Sequence, residues 1–496
     1  MLPPAIALFT AILRRDGHQV ALFDSTDYPN PEEDDFNSDK VKEVNLNVRP
    51  FDDALLKISF KDENVFDAFE RSCNDFQPDL LAMSCTEDIF PIGIRLLQRI
   101  AKLKIPRLLG GVFPTFAPEL VIAFPEVDMV CVGEGERVIT ELCRCMDRGE
   151  NYDHIPGLWV KKKGGIIRNP IGPAVDMNEN PPLDLSIFSE GRLYRPMQGK
   201  VWRMFPLETH RGCPYACTYC NSPSQSILYK NETGSRFFRK KRIDKIREEI
   251  IHLTNNYHAE AFYFWADTFF AYSDKEFDAF VDMYSEFKIP FWCQTRPETV
   301  TYKRVEKLAD IGMFRMAFGI EHGNQEFRRR VIKRNVSNQK ILESLQIVND
   351  VGVPFSVNNI LGFPYETREI TFDTIELNRY IQADSTNAYS FSPFHGTPLR
   401  IIAEKECYIR PGVIARSLTK PTVLDMPQYP PDQIEGMRRC FVLYVKMPKA
   451  RWAEIEKAEK MTPEGDAIWL SLRNEVAEKY MEFNEQHHDT EKIKVE

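Results

Sequence analysis

The chain has 496 residues, a net charge of −9 from 64 Lys and Arg against 73 Asp and Glu, 43% hydrophobic residues and eleven cysteines. Its basic residues are scattered among acids, which excludes a nucleic-acid-binding or anionic-membrane surface; no run of ~18 apolar residues supplies a membrane span, and no charged n-region with an apolar core marks a signal peptide. At ~150 residues per domain the length fits two or three domains. An odd number of cysteines in a long chain reads as reduced cytoplasmic thiols and metal ligands rather than a disulfide framework.

Residues 5–16 carry apolar side chains at helical spacing, and Gly17 closes them. Residues 20–24 read as a buried strand and residues 26–65, polar and acidic, as loops. Strands are then expected over 80–84, 107–111 and 129–132, with helices over 89–103 and 118–124. Short apolar strands alternating with helices imply an α/β fold with a parallel, doubly wound sheet, a Rossmann-like domain over residues 1–150. Such sheets bind ligands beyond the carboxyl ends of their strands. Ser84, Gly110, Gly111 and the run Gly133-Glu134-Gly135-Glu136 fall there, with Pro114-Thr115 just beyond the glycine pair.

Residues 151–200 form a Gly- and Pro-rich connector with a hairpin-like spacer over 158–167 and Pro181-Pro182 at its exit. A strand over 203–208 delivers Arg211-Gly212-Cys213-Pro214-Tyr215-Ala216-Cys217-Thr218-Tyr219-Cys220-Asn221, in which three cysteines are spaced C-x3-C-x2-C. Thiolates so placed suit an iron–sulfur cluster or a zinc ion. Structural zinc takes four closed ligands, whereas this loop offers three and no C-x2-C or H-x3-H partner follows nearby. His210 beside the loop reads as packing, and the basic run Arg239-Lys240-Lys241-Arg242, opening a helix over 243–253, reads as a solvated face. Strands follow over 261–265, 291–294, 315–321, 355–364 and 388–391, so residues 201–400 read as a partial (β/α)6 barrel. Asp267, Gln294, Arg296, Glu321 and Asn358 sit at carboxyl ends, the face where barrel enzymes place their chemistry. Beyond Leu399, residues 401–496 read as a small α-helical domain with helices over 433–446, 450–460 and 466–482 and a frayed tail carrying His487-His488.

The cysteine spacing, with Tyr219 before the last cysteine, resembles the radical S-adenosylmethionine (SAM) superfamily, whose loop holds a [4Fe–4S] cluster on three thiolates, here Cys213, Cys217 and Cys220. Gly110-Gly111, Pro114-Thr115 and the 133–136 run resemble the cobalamin-binding domain that precedes the radical SAM barrel in the B12-dependent branch, and Phe394-His395-Gly396-Thr397-Pro398-Leu399 also recurs there. The resemblance covers about residues 5–400. It implies that Tyr219, Asp267, Glu321, Asn358, Ile360 and Gly362 contact SAM, and that Ser84, Gly110, Gly111, Thr115, Gly133, Glu134 and Gly135 lie against cobalamin, with glycines admitting the ligand. It also implies methylation of an unactivated carbon, or of a phosphinate phosphorus, in a small molecule through a 5′-deoxyadenosyl radical. The alternative is oxidative cyclisation, or another non-methylating C–H functionalisation, with the same cofactors. Both demand anaerobic, reducing conditions and a flavodoxin- or ferredoxin-type electron donor. The tRNA methylthiotransferases resemble this core but need three further N-terminal cysteines and a basic β-barrel tail, neither of which is seen.

Two departures stand out. Of the cobalt-ligating pattern D-x-H-x-x-G, the run Asp16-Gly17-His18-Gln19-Val20-Ala21 keeps only Asp and His, so no protein histidine is expected on cobalt. The chain also opens on a helix where the family opens on a strand, and the expectation is a domain lacking its first strand because the sequence starts downstream of the true N-terminus.

Overall fold

The computed structural model describes residues 2–28, 38–48 and 61–480. Short apolar runs make its strands: in the first sheet Leu81–Ser84 (β1), Arg107–Gly110 (β2) and Met129–Cys131 (β3) pair in parallel. Leu108, Leu109, Met129 and Val130 are buried on both faces, as helix-covered parallel strands require. The 158–167 hairpin is no spacer. Its strands Leu158–Lys162 (β4) and Gly165–Arg168 (β5) extend the sheet antiparallel, Met129 pairing with Val160, to give the order β1-β2-β3-β4-β5.

The helix expected over 5–16 spans Pro4–Arg15. The strand expected over 20–24 does not form: that segment has no ladder, and it lines the same cavity as residues 80–85. The 26–65 region is not all loop among its described residues. A helix spans Ser38–Val44, Leu46 joins the core beneath the C-terminal helices, Arg473 Nε donates to the Val44 carbonyl (2.9 Å) and Ser385 Oγ to the Asn47 carbonyl (2.7 Å). Distant partners fix what the polar local sequence leaves open.

The second sheet runs through Tyr194–Met197 (β6), Lys200–Glu208 (β7), Ala261–Trp265 (β10), Phe291–Thr295 (β11), Met313–Glu321 (β12), Phe355–Leu361 (β13) and Ser385–Ser390 (β14), in the order β14-β13-β12-β11-β10-β7-β6. Six of these strands are parallel and form the expected partial barrel; β6, not foreseen, pairs antiparallel along the edge. The short pair His210–Arg211 (β8) and Arg239–Lys240 (β9) brackets the cysteine loop. Helices at 3.6-residue periodicity bury Ile246, Ile250, Phe280, Val305, Leu345 and Val348 against the sheet. The C-terminal helices are Pro431–Lys446, Trp452–Ala458 and Pro463–Tyr480, and the first shares a core with Leu361, Ile375 and Ala388 of the barrel. His487-His488 lies outside the described residues. No helix among the described residues is long and apolar enough to cross a membrane.

Candidate functional site

The carboxyl ends of the first sheet's parallel strands and of β7 and β10 in the second open on one cavity of about 1740 Å³. Small-ligand pockets occupy about 300–1,000 Å³, so this one has room for a ligand much larger than a metabolite. Ser84, Gly110, Gly111, Thr115, Gly133, Glu134 and Gly135 line it from the first sheet, and Glu208, Arg211, Gly212, Trp265 and Asp267 from the second.

The glycines answer first to the protein itself. Gly111 has φ +112°, and a Cβ there would stand 2.6 Å from the Cys85 carbonyl oxygen; at Gly135 it would meet Phe9 at 2.8 Å. Thr115 Oγ1 donates to the Gly111 carbonyl (2.7 Å) and accepts from the Gly133 N–H (3.0 Å), tying the two loops together. Glu134 is committed elsewhere: its carboxylate takes Arg211 Nη1 (2.6 Å), Arg239 Nη2 and the Val175 N–H (2.8 Å). Arg211 also pairs with Glu136 (2.6 Å) and Glu208 (2.8 Å). This buried cluster of two arginines and three carboxylates clamps the first sheet's 133–136 loop to the strand end that carries the cysteines.

A second clamp joins the same domains. Glu87, buried just past β1, accepts from His395 Nδ1 (2.7 Å) and the His395 N–H (2.8 Å), while Asn221 beside Cys220 donates to the His395 carbonyl (2.7 Å). Gly396 must be glycine, because φ is +83° and a Cβ would lie 2.2 Å from the Phe116 ring. The 394–399 run thus ties the first domain to the cysteine loop.

Cys220 Sγ accepts from the Ser222 N–H (3.4 Å) and Cys217 Sγ from the Arg296 guanidinium (3.2 Å), while Cys213 Sγ lies 3.5 Å from the Thr268 hydroxyl and accepts from the Tyr215 N–H. Burial raises the thiol pKa of Cys213, and that of Cys220 to about 12. Among the described residues no three His, Cys, Asp or Glu side chains gather close enough to hold one metal ion.

Behind the loop runs a chain of charge. Arg296 stacks on Tyr215 (3.8 Å to the ring centre) and pairs with Glu298; Arg334 bonds Glu298 (2.9 Å) and Glu321 (3.3 Å), and the Tyr219 hydroxyl bonds Glu321 as well. Burial pushes Glu298 upward, but Arg334 and Arg296 overcome it and hold the carboxyl at about 2. Burial raises Glu321 despite Arg334, and Asp267, open to the cavity yet enclosed by protein, is raised by burial and by Glu208. Glu321 has φ +69°, and a Cβ on Gly319 would sit 2.0 Å from its Oε1. On β13, Asn358 Oδ1 accepts from Asn387 Nδ2 (2.9 Å), Ile360 packs toward Phe363, and the Gly362 N–H is spent on Glu366 (2.7 Å). Asp267 therefore lies with the first-sheet residues on the cavity, whereas Tyr219 and Glu321 are bonded to each other and do not line it.

Residues 207–377 match the model of the radical SAM superfamily, and residues 1–143 that of the B12 binding domain. The chain joins a B12 binding domain to a radical SAM domain. Its relatives include an uncharacterized methyltransferase from Pyrococcus horikoshii, 23% identical over 412 residues, 81% of this chain and 86% of that protein. An anaerobic magnesium-protoporphyrin IX monomethyl ester cyclase from Rubrivivax gelatinosus is 23% identical over 344 residues, and there the alignment spans 66% of this chain but 59% of the cyclase. Among solved structures, the radical SAM methyltransferase TsrM from Kitasatospora setae, with cobalamin and a [4Fe–4S] cluster bound, shares the fold: TM-score 0.59, 16% identity, 82% of this chain and 72% of that one.

The cysteine loop announced the radical SAM domain in the sequence, but Arg211, Glu136, Glu208, Glu87 and His395 went unread as interdomain clamps. Arg211, Glu136 and His395 stand inside runs that the sequence marks, but their partners lie far off in the chain and carry no local signal.

Proposed function

We propose that this protein is a cobalamin-dependent radical SAM enzyme that methylates an unactivated carbon, or a phosphinate phosphorus, of a small molecule. The observation that carries the reading is that the carboxyl ends of the first sheet and Arg211 and Gly212, the residues leading into the three-cysteine loop, line one cavity. In this reading Cys213, Cys217 and Cys220 hold a [4Fe–4S] cluster. Tyr219, Asp267, Glu321, Asn358, Ile360 and Gly362 surround SAM, Gly362 through its carbonyl side, since its N–H is taken. Ser84, Gly110, Gly111, Thr115, Gly133 and Gly135 form the cobalamin floor, and Glu134 supports it from the ion cluster. Bound there, cluster and SAM supply hydrogen-atom abstraction and cobalamin supplies a transferable methyl group.

The chain's own residues orient and enclose. The Arg211 and Glu87 clamps fix the distance between the two cofactor floors, and Trp265, 41% exposed and on the cavity wall, offers an aromatic face to substrate. Asp267 and Glu321, both raised in pKa, become less costly to bury once a cationic group such as the SAM amino group approaches. A flavodoxin- or ferredoxin-type protein supplies electrons. The similarity to the cyclase favours a second reading, oxidative ring formation at the same site.

The test is an anaerobic incubation of reconstituted protein with SAM, dithionite and hydroxocobalamin. Bound cobalamin with both 5′-deoxyadenosine and S-adenosylhomocysteine supports methyl transfer. 5′-Deoxyadenosine alone, with no bound cobalamin, refutes it, and a substrate that loses hydrogens without gaining a methyl favours the cyclase reading.

A further inference from the structure

We propose that Arg296 sets the reduction potential of the cluster by donating to the sulfur of Cys217, an inference that rests on the cysteine loop being the cluster site. Three contacts hold the guanidinium in place: Nη1 lies 3.2 Å from Cys217 Sγ, the plane stacks 3.8 Å from the Tyr215 ring centre, and Nε donates to Glu298 Oε1 at 2.7 Å. Its side chain is 12% exposed, so water screens it little. The groups at the other two sulfurs, the Thr268 hydroxyl and Tyr215 N–H at Cys213 and the Ser222 N–H at Cys220, carry no charge.

Charge and hydrogen bonds at ligand sulfurs set cluster potentials. One-electron reduction places added negative charge on the cluster, with no bond made or broken. A cation bonded to a ligand sulfur stabilises the reduced form more than the oxidised one, which raises the potential. Glu298 lies behind the same guanidinium and opposes it. Removing the arginine and neutralising the glutamate therefore have opposite signs, which a merely structural role for either residue would not produce. Arg296 is in this sense a positioning residue, acting through Cys217.

The experiment is an EPR-monitored redox titration of the reconstituted full chain without SAM, with dithionite as the reductant, on wild type, R296M, R296K and E298Q, each checked for iron and sulfide. At one fixed potential the ratio of reduced to oxidised cluster should fall about tenfold in R296M, the worth of a charge-assisted hydrogen bond, fall less in R296K and rise in E298Q. Shifts of the same sign in R296M and E298Q, or no shift in either with the cluster intact, overturn the proposal. If R296M does not retain the cluster, E298Q decides: a rise supports the proposal, and no change or a fall overturns it. A wild-type protein that assembles no [4Fe–4S] cluster overturns the proposed function as well, whereas the outcomes above leave that function standing.

Discussion

His210, one residue before Arg211, couples the stability of the cysteine-loop strand to pH. Its ring is 1% exposed, lies 4.2 Å from Tyr272, stacks on Phe238 and has Nδ1 beside Thr209 Oγ1 (2.8 Å), while Nε2 is buried without a protein partner. Burial, helped by Lys240, lowers its pKa from 6.5 to about 3. Because the folded value is depressed, the unfolded chain binds the proton first, and stability falls as pH drops below 6.5. Between about pH 7.5 and about pH 5.5 the loss comes to about 1.3 kcal/mol. The assay is urea unfolding of wild type and H210Q at both pH values. Packing lost in the variant is a constant offset, so the difference in pH dependence isolates the ionisation. H210Q should be less pH-sensitive by about 1 kcal/mol. Equal pH dependence, or a His210 Cε1–H resonance titrating near pH 6.5, would refute the argument.

Further outcomes follow from the same geometry. R211M leaves Glu134, Glu136 and Glu208 sharing only Arg239, and should lower stability by about 3 kcal/mol in urea, with E136Q costing less. G319A pushes a methyl into Glu321 and should weaken SAM binding in equilibrium dialysis while leaving cobalamin binding within twofold, roughly, because the first sheet is untouched. G396A strains a left-handed residue against Phe116 and should speed protease cleavage between the domains. C217A should keep the far-ultraviolet circular dichroism of the parent and lose the cluster's iron after anaerobic reconstitution.

Parallel strands are legible where helix-covered strands are continuous apolar runs, as in Ala261–Trp265; Phe355–Leu361 instead alternates buried and half-buried residues, with Ser356, Asn358 and Asn359 within it. The cysteine loop was legible because its ligands are local. What escaped is non-local. Glu134 and Arg211 are 77 residues apart, Glu87 and His395 308 apart, and neither pairing leaves a mark in the sequence around it. Residues 20–24 have strand composition but no ladder, since a strand exists only with a neighbour at hydrogen-bonding distance. The glycines after β2 and β3 stand out in the sequence, but nothing there shows that the missing Cβ atoms of Gly111 and Gly135 also make room for Cys85 and Phe9 within the protein.

The proposed cobalamin floor lines one cavity, which the cysteine loop meets through Arg211 and Gly212 and the proposed SAM site through Asp267. The most direct measurement is a structure of the anaerobically reconstituted protein with SAM and hydroxocobalamin. The account predicts a cluster on Cys213, Cys217 and Cys220, SAM between Tyr219 and Asp267, and the corrin across Ser84, Gly111 and Gly133, open to the same space. Corrin outside that cavity, or a cluster walled off from it, would contradict the account.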